Sequence, residues 1–476
     1  MTIKSIGAPA AERDDFLSTC FVDNHILDSV RAGECFILLG NRGAGKSAIF
    51  ERFKDTATGI QVASIAPEDY SYEMVSSQLS STDLSSWAKQ SNFTAAWKHA
   101  LLTAALRIVR DNAENTRSSH YREVYAYLRN SNRIDRLDLL DELVSYIHRF
   151  KSVNILGSGG DLHEPSAGQL YRLEHLMAIV PAFKELVKEV PVTILVDELD
   201  RGWDASDQAK FFVAGLFQAS IWLNQISPNF RVLIALRREL YDNIPAIFED
   251  AQKFRDVLRY VEWDEYSLKQ VAARRLREAF DLADGLSVDT QWSSVFSEIL
   301  DYRKTDSFNY VVDRTLYRPR EIILFINDCL EKAAGKSDPI DYKIISAAEI
   351  KYSSDRMQDI AAEYRFQYPE LLKLFNAFRG LVYRLTREGL IHIIETTKGQ
   401  SFAGLDWLES YTNSEVIGIL YEIGFLKALA VGGDKGKARS GSKWVGFYQS
   451  PHVDLSKIDM FQVHPMFRVA LSMKEK

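Results

Sequence analysis

Residues Gly40-Asn41-Arg42-Gly43-Ala44-Gly45-Lys46-Ser47 decide how this chain folds. The octet fits G-x-x-x-x-G-K-[ST], a loop that cradles phosphates. A short apolar run, CFILL at 35–39, leads into it, and the helix-patterned SAIFERFKD runs on from Ser47. A buried strand, a glycine-rich turn and a helix start are the setting such a loop needs. Its glycines let the backbone close on phosphate oxygens with no Cβ in the way. The N–H groups that open the helix, and the dipole behind them, favour anions there. Gly40 to Ser47 are therefore expected to hold the phosphates of ATP. Lys46 would reach the β- and γ-phosphates as a point charge, and the Ser47 hydroxyl would bind Mg2+.

Outward from the loop, four more apolar runs read as strands: IQVASIA at 60–66, VTILV at 192–196, RVLIAL at 231–236 and residues 257–262. Helical patterns separate them, which predicts a parallel sheet covered on both faces. A long middle section, about 70–185, opens with a Ser-rich loop. It continues with Phe93, Trp97, Leu101, Leu102, Leu106 and Ile108 at helical spacing. Further helices are expected near 119–130, 135–150, 168–189 and 206–224. Past about 265 the pattern is helical (YSLKQVAARRLREAF, then RPREIILFINDCLEKA). From about 370 it changes again. A helix, a helix–turn–helix (LDWLESYTNSEVIGILYEIG), the strand-like FLKALAV and KWVGFYQ, and a last helix after His464-Pro465 predict a winged-helix-like end. The expected fold class is α/β, a P-loop NTPase with a parallel sheet core, a helical insertion, a helical lid and a C-terminal winged-helix-like domain. The expected divisions are a core over 1–265 with its insertion at about 70–185, a lid over 266–365, and the end over 366–476.

Asp197 and Glu198 stand at the tip of the VTILV strand. A phosphate loop needs a carboxylate on a neighbouring strand to hold Mg2+, and Asp197 fits. ATP hydrolysis needs a group to orient and polarise the attacking water, and Glu198 fits. Arg237 and Arg238 follow the RVLIAL strand, where a basic residue can sense the γ-phosphate. Arg318 and Arg320 flank Pro319 at the start of a helix, where a lid arginine would reach the nucleotide. Arg255 and Arg259 read as solvated side chains before they read as fingers toward a neighbouring subunit.

Other classes are excluded by what is missing. No N-K-x-D string reads guanine. Gly157-Ser158-Gly159-Gly160-Asp161 only partly mimics an ABC signature and lies at the wrong spacing, so a flexible loop is expected. Asp197-Glu198-Leu199-Asp200 mimics a helicase box, but no second motor domain follows. The nine histidines make no metal-like cluster, and His464, before a proline in an apolar setting, reads as structural. Gly432–Lys443 carries Lys435, Lys437, Arg439 and Lys443 against Asp434. It reads as a basic wing able to touch a DNA backbone, without aromatics for stacking.

Composition sets the bounds. The 476 residues suggest about three structural units. With 46% hydrophobic and 26% charged residues, the profile is globular. A net charge of −7 argues against a general nucleic-acid coat. Cys20, Cys35 and Cys329 are odd in number and far apart, which predicts no disulfide framework. The N-terminus has no apolar signal region and no run approaches membrane-spanning length, so a cytoplasmic chain with no membrane contact is expected.

Taken in order, GNRGAGKS, VTILVDELDRGWD, RVLIALRREL, YDNIPAIFEDAQKFRDVLRYVEWDEYSLKQVAARRL and LYRPREIILFIND resemble the AAA+/STAND superclass in its initiator-type arrangement. More narrowly, DELDRGWD, Trp263-Asp264 and the terminal VHPMFR resemble a bacterial family of stand-alone P-loop ATPases, some of whose members lie beside antiphage defence genes. The resemblance implies an ASCE/AAA+-like core that binds and hydrolyses ATP with Mg2+ as a molecular switch. Its implied partners are an effector in another chain or further copies of this one, with DNA contact through the C-terminal wing. The departures are arginines where many AAA+ proteins place Asn or Thr, and the long helical insertion. Two other functions stand beside the switch: an initiator-like DNA-binding ATPase, and a non-catalytic nucleotide-bound scaffold.

Overall fold

The five apolar runs form one parallel sheet: β1 (Ile37–Gly40), β2 (Gln61–Ile65), β3 (Val192–Val196), β4 (Phe230–Arg237) and β5 (Leu258–Tyr260), in the order β2-β3-β4-β1-β5. The computed structural model describes residues 5–23, 25–66, 86–131, 167–199, 203, 206–242, 244, 255–335, 338–400, 404–430 and 443–475. The Ser-rich loop, the expected helix at 135–150, the Gly157–Asp161 loop and all of the basic wing except Lys443 lie outside these residues. The chain divides into two compact units, Asp23–Glu262, and Met1–Val22 with Trp263–Lys476.

In the first unit every residue of β1 and β3 is buried, because helices cover both faces of a parallel sheet. Edge strand β2 is more exposed. The insertion between β2 and β3 supplies the helices Ser86–Asn112, Ser119–Asn130 and Ala167–Glu189. The first of these lies against the helix Asp207–Asn224. Trp97, fully buried, donates from Nε1 to the Phe212 carbonyl at 3.0 Å. The two helices touch at Gly215, where an added Cβ would stand 2.6 Å from Phe93 Cβ and 2.9 Å from backbone atoms of Phe93 and Thr94. Backbone cannot yield as a flexible side chain can. Gly215→Ala is therefore expected to cost about 2–3 kcal/mol and to lower Tm by roughly 5–10 °C. Scanning calorimetry checks it, and an unchanged Tm would show that the helices separate freely.

In the second unit an N-terminal arm packs on helices far away in sequence. Ile6 is fully buried, its N–H donates to Asn327 Oδ1 at 3.0 Å, and Asn327 Nδ2 returns a bond to the Gly7 carbonyl. Asp14 and Arg275 form an ion pair almost completely withdrawn from water. The sequence places this arm with the phosphate-loop core; these bonds tie it to the helices Glu265–Phe280 and Pro319–Lys332 instead. β6 (Ile299–Leu300) and β7 (Thr305–Asp306) make a small hairpin nearby.

The C-terminal part is a winged helix. Its antiparallel sheet contains β8 (Arg384–Thr386), β9 (Leu426–Ala430), β10 (Lys443–Val445) and β11 (Met460–Val463), in the order β10-β9-β11-β8. The helix Asn413–Glu422 starts at a capping box of Thr412 and Glu415. Its expected first partner, in Asp406–Ser410, is only a 3-10 turn; the full helix ahead of it is Arg387–Gly399. Lys443 opens β10.

His464 is completely buried and structural. Its Nδ1 accepts from the Met466 N–H at 3.2 Å, so Nε2 carries the proton and lies 2.9 Å from the Tyr448 hydroxyl. Burial, with Lys427, Arg468 and Arg314 adding to it, holds the imidazole well below its usual range. A depressed folded pKa contributes stability that is complete above about pH 6.5 and is lost as the pH falls, because the unfolded chain takes up a proton the folded one refuses. His464→Asn keeps an acceptor for Met466 and removes the titration. Denaturant unfolding at pH 7.5, 6.5 and 5.5 is expected to show a steeper acid loss in the parent, by up to about 1.4 kcal/mol per pH unit. Equal slopes in the two proteins would refute this.

Candidate functional site

Because all five strands run parallel, their carboxyl ends share one edge, where ligands of open α/β sheets bind. Gly40 ends β1 and runs straight into the loop. An added Cβ on Gly40 would meet the Val261 Cβ and carbonyl oxygen at 3.2 Å and Ala44 at 3.3 Å, so a side chain here would crowd the residue after β5 and the loop itself. Gly43 and Gly45 take φ of +77° and +99°, which lets the chain reverse and start the helix Lys46–Thr56 with its N–H groups facing the loop. The Ala44 N–H donates to the Asn41 carbonyl at 3.1 Å, closing the turn. Lys46 Nζ donates to the carbonyls of Gly40 (2.7 Å) and Asn41 (3.1 Å), which holds its charge over the loop. Ser47 stands in the first helical turn, and Arg42 is exposed.

Asp197 continues β3, its N–H donating to the Ile65 carbonyl of β2 at 3.0 Å. One of its carboxylate oxygens accepts the Glu198 N–H at 2.8 Å. Glu198 itself has φ +57°, a left-handed conformation uncommon for a non-glycine residue, and the buried Leu199 follows it. Strand β4 separates β3 from β1, so the acidic tip and the phosphate loop lie about 10 Å apart, two strand spacings.

Arg237 ends β4 directly opposite Gly40 in the β1–β4 register. Arg238 starts the next helix, and its guanidinium lies 3.1 Å from Glu262 and 3.4 Å from Asp242, over the Tyr260 ring. In the other unit Arg318 is buried, 3.1 Å from Glu363 and 3.7 Å from Glu321, both carboxylates themselves buried. Arg320 is partly exposed, and its Nε donates to the Pro9 carbonyl at 3.1 Å. The carboxylates around Arg238 and Arg318 were not legible in the sequence. The acids four and three residues after these arginines, Asp242 and Glu321, were the only local signal.

The donor chemistry fits a nucleotide with Mg2+. The loop offers N–H groups, a lysine and a hydroxyl, and Asp197 offers a carboxylate at the neighbouring strand tip. Mg2+ typically takes one or two protein carboxylates, with phosphates and waters completing its shell. Among the described residues no group of three or more His, Cys, Asp or Glu makes a self-sufficient metal cage, and no helix is long and apolar enough to cross a membrane. The three cysteines are buried and free, and burial raises the Cys35 thiol to about 11.

This strand order, with a phosphate loop after β1 and an acidic tip on β3, defines an AAA+-type P-loop NTPase fold, here joined to a winged helix. Residues 266–361 match the FunZ-associated C-terminal helical domain. The putative transposon gamma-delta 80.3 kDa protein of Escherichia coli (strain K12) is 23% identical over 502 aligned positions, taking in 98% of this chain and 67% of that protein. Allergen Alt a 2 of Alternaria alternata is 26% identical over 127 residues, 26% of this chain and 65% of the allergen. Among solved structures, the Aeropyrum pernix ORC1 protein in complex with DNA has a TM-score of 0.39 at 12% identity, covering 98% of this chain and 96% of its own. The Aeropyrum pernix ORC2 protein (ADPNP–ADP complexes) has a TM-score of 0.29 at 12% identity, covering 92% and 86%. At those scores the likeness is loose; the strand order and the loop define the fold by themselves.

Proposed function

We propose that this chain is an ATP-binding and ATP-hydrolysing switch of AAA+/STAND type. One juxtaposition carries the proposal: a single sheet edge bears the phosphate loop after β1, an Asp–Glu pair after β3 and an arginine ending β4. The loop N–H groups and Lys46 bind the phosphates, and Ser47 and Asp197 hold Mg2+. The metal, when bound, neutralises charge on the phosphate oxygens. Glu198 orients the attacking water and accepts its proton. Arg237 senses the γ-phosphate, while Arg238, already held by Glu262 and Asp242, fixes the strand end. Arg320 serves as the lid arginine in preference to Arg318, which two buried carboxylates hold. The output passes to an effector in another chain, to a second copy, or to DNA through the wing. Antiphage defence is the setting that the sequence resemblance suggests. ATP binding and turnover by Lys46→Ala and Glu198→Gln test the site, and undiminished hydrolysis in both removes it. Tight ATP binding by the parent chain without turnover would favour the scaffold function.

A further inference from the structure

The unit formed by Met1–Val22 and Trp263–Lys476 encloses a polar cleft of about 930 Å³. The helices before residue 350 line one side of it, and the winged helix lines the other. Such a volume suits a ligand of nucleotide size. Charge in the cleft is unevenly matched. Of its four carboxylates three have cations: Glu349 with Arg314 at 2.6 Å, Asp313 with Lys427 at 2.8 Å, and Glu475 with Arg303 at 3.5 Å; the fourth, Glu265, has no ion pair among the described residues. Arg468 and Lys443 line the same cleft, and among the described residues neither has a carboxylate partner.

Arg468 is held in place without being neutralised. Its Nε donates to the Val463 carbonyl at 2.9 Å, and its guanidinium lies 3.8 Å from the centre of the Tyr383 ring. Arg384 approaches the same ring at 5.6 Å and also has no carboxylate among the described residues. Burial, with Arg314 and Arg384 nearby, pulls Arg468 down to about 10. Arg314, Lys427 and Arg468 together also act on His464, and with Arg384 they make four cations near one corner, where, among the described residues, Glu349 pairs Arg314 and Asp313 pairs Lys427. An anion in this corner would relieve that excess.

The rest of the wall supplies flat rings. Tyr317, Tyr342 and Trp444 are all partly exposed, and Tyr342 already stacks on Tyr302 at 5.2 Å between centres. Partly exposed rings beside a basic corner suit a planar base attached to a phosphate.

We propose that this cleft is a second ligand site that takes a base-bearing phosphate monoester, either a free nucleotide or the 5′ end of a single nucleic-acid strand. It includes no residue of Asp23–Glu262, so it stands apart from the phosphate-loop proposal. Isothermal titration of the full chain with AMP, with 5′-phosphorylated tetrathymidylate and with inorganic phosphate tests it. The expected result is binding of AMP or of the tetranucleotide, with the tighter one identifying the source. Arg468→Gln is expected to weaken that binding roughly 10- to 100-fold, and Lys46→Ala to leave it unchanged. Should Arg468→Gln fail to fold, the exposed Lys443→Gln and Arg384→Gln are expected to weaken binding in its place. Absence of binding by both base-bearing probes, inorganic phosphate binding as tightly as AMP, or loss in Lys46→Ala with retention in the cleft variants would each overturn it.

Discussion

Lys46→Ala is expected to abolish ATP turnover and to weaken ATP binding by roughly 10- to 100-fold, the loss of one charge-assisted contact worth about 1.5–3 kcal/mol. The reason lies in how the loop holds the lysine. Its Nζ donates to the carbonyls of Gly40 and Asn41, so the charge stands over the loop mouth with little freedom left to lose when phosphates arrive. Alanine at the first position of the helix Lys46–Thr56 is a good helix former, and the site is only partly buried, so the fold should persist. Calorimetric titration with ATP and a phosphate-release assay read the two effects. Parent-level affinity and turnover with Lys46 gone would remove the loop from the chemistry.

Glu198→Gln is expected to separate the two steps: ATP still binds, and hydrolysis slows roughly 10²- to 10⁴-fold, the usual range for removing a general base. The amide keeps the size of the carboxylate and loses its basicity. Glutamine tolerates φ +57° no better and no worse than glutamate, so the turn after Asp197 should hold. Asp197 keeps its bond to the residue 198 N–H, which leaves the carboxylate assigned to the metal where it was. Single-turnover hydrolysis measures the chemical step. The same variant loaded with ATP, compared by mass with its ATP-free form, shows whether the ATP state gathers copies or a partner. A parent-like hydrolysis rate would take Glu198 out of the role of base.

The core of the fold was legible because β1, β3 and β4 are continuous apolar runs, the signature of strands buried on both faces. The phosphate loop was legible because its residues are adjacent. Features built from distant residues were not. β8, the charged triplet RLT, and β11, the four-residue MFQV, carry no alternating pattern long enough to read. Asp406–Ser410 has the composition of a helix, but it spans only five residues and tightens into a 3-10 turn. The N-terminal arm reads as a prelude to the phosphate loop, and only bonds more than 250 residues away in sequence, such as Asp14 to Arg275, assign it elsewhere. The positions of Asp197, Glu198 and Arg237 at strand ends followed from sequence. The Gly40–Arg237 register, the left-handed Glu198 and the buried carboxylates on Arg318 needed the fold.

The arm also sets a schedule for synthesis. Its apolar residues, Ile6 and Leu17 among them, are made before Asp23–Glu262, yet Arg275 and Asn327, to which the arm bonds, follow only after it. At typical elongation rates that gap lasts on the order of 10–50 s. The sheet of Asp23–Glu262 can form within that interval, while the arm waits for the helices that will cover it. Until those helices are made, the arm's apolar residues lack the surface that buries them in the folded unit.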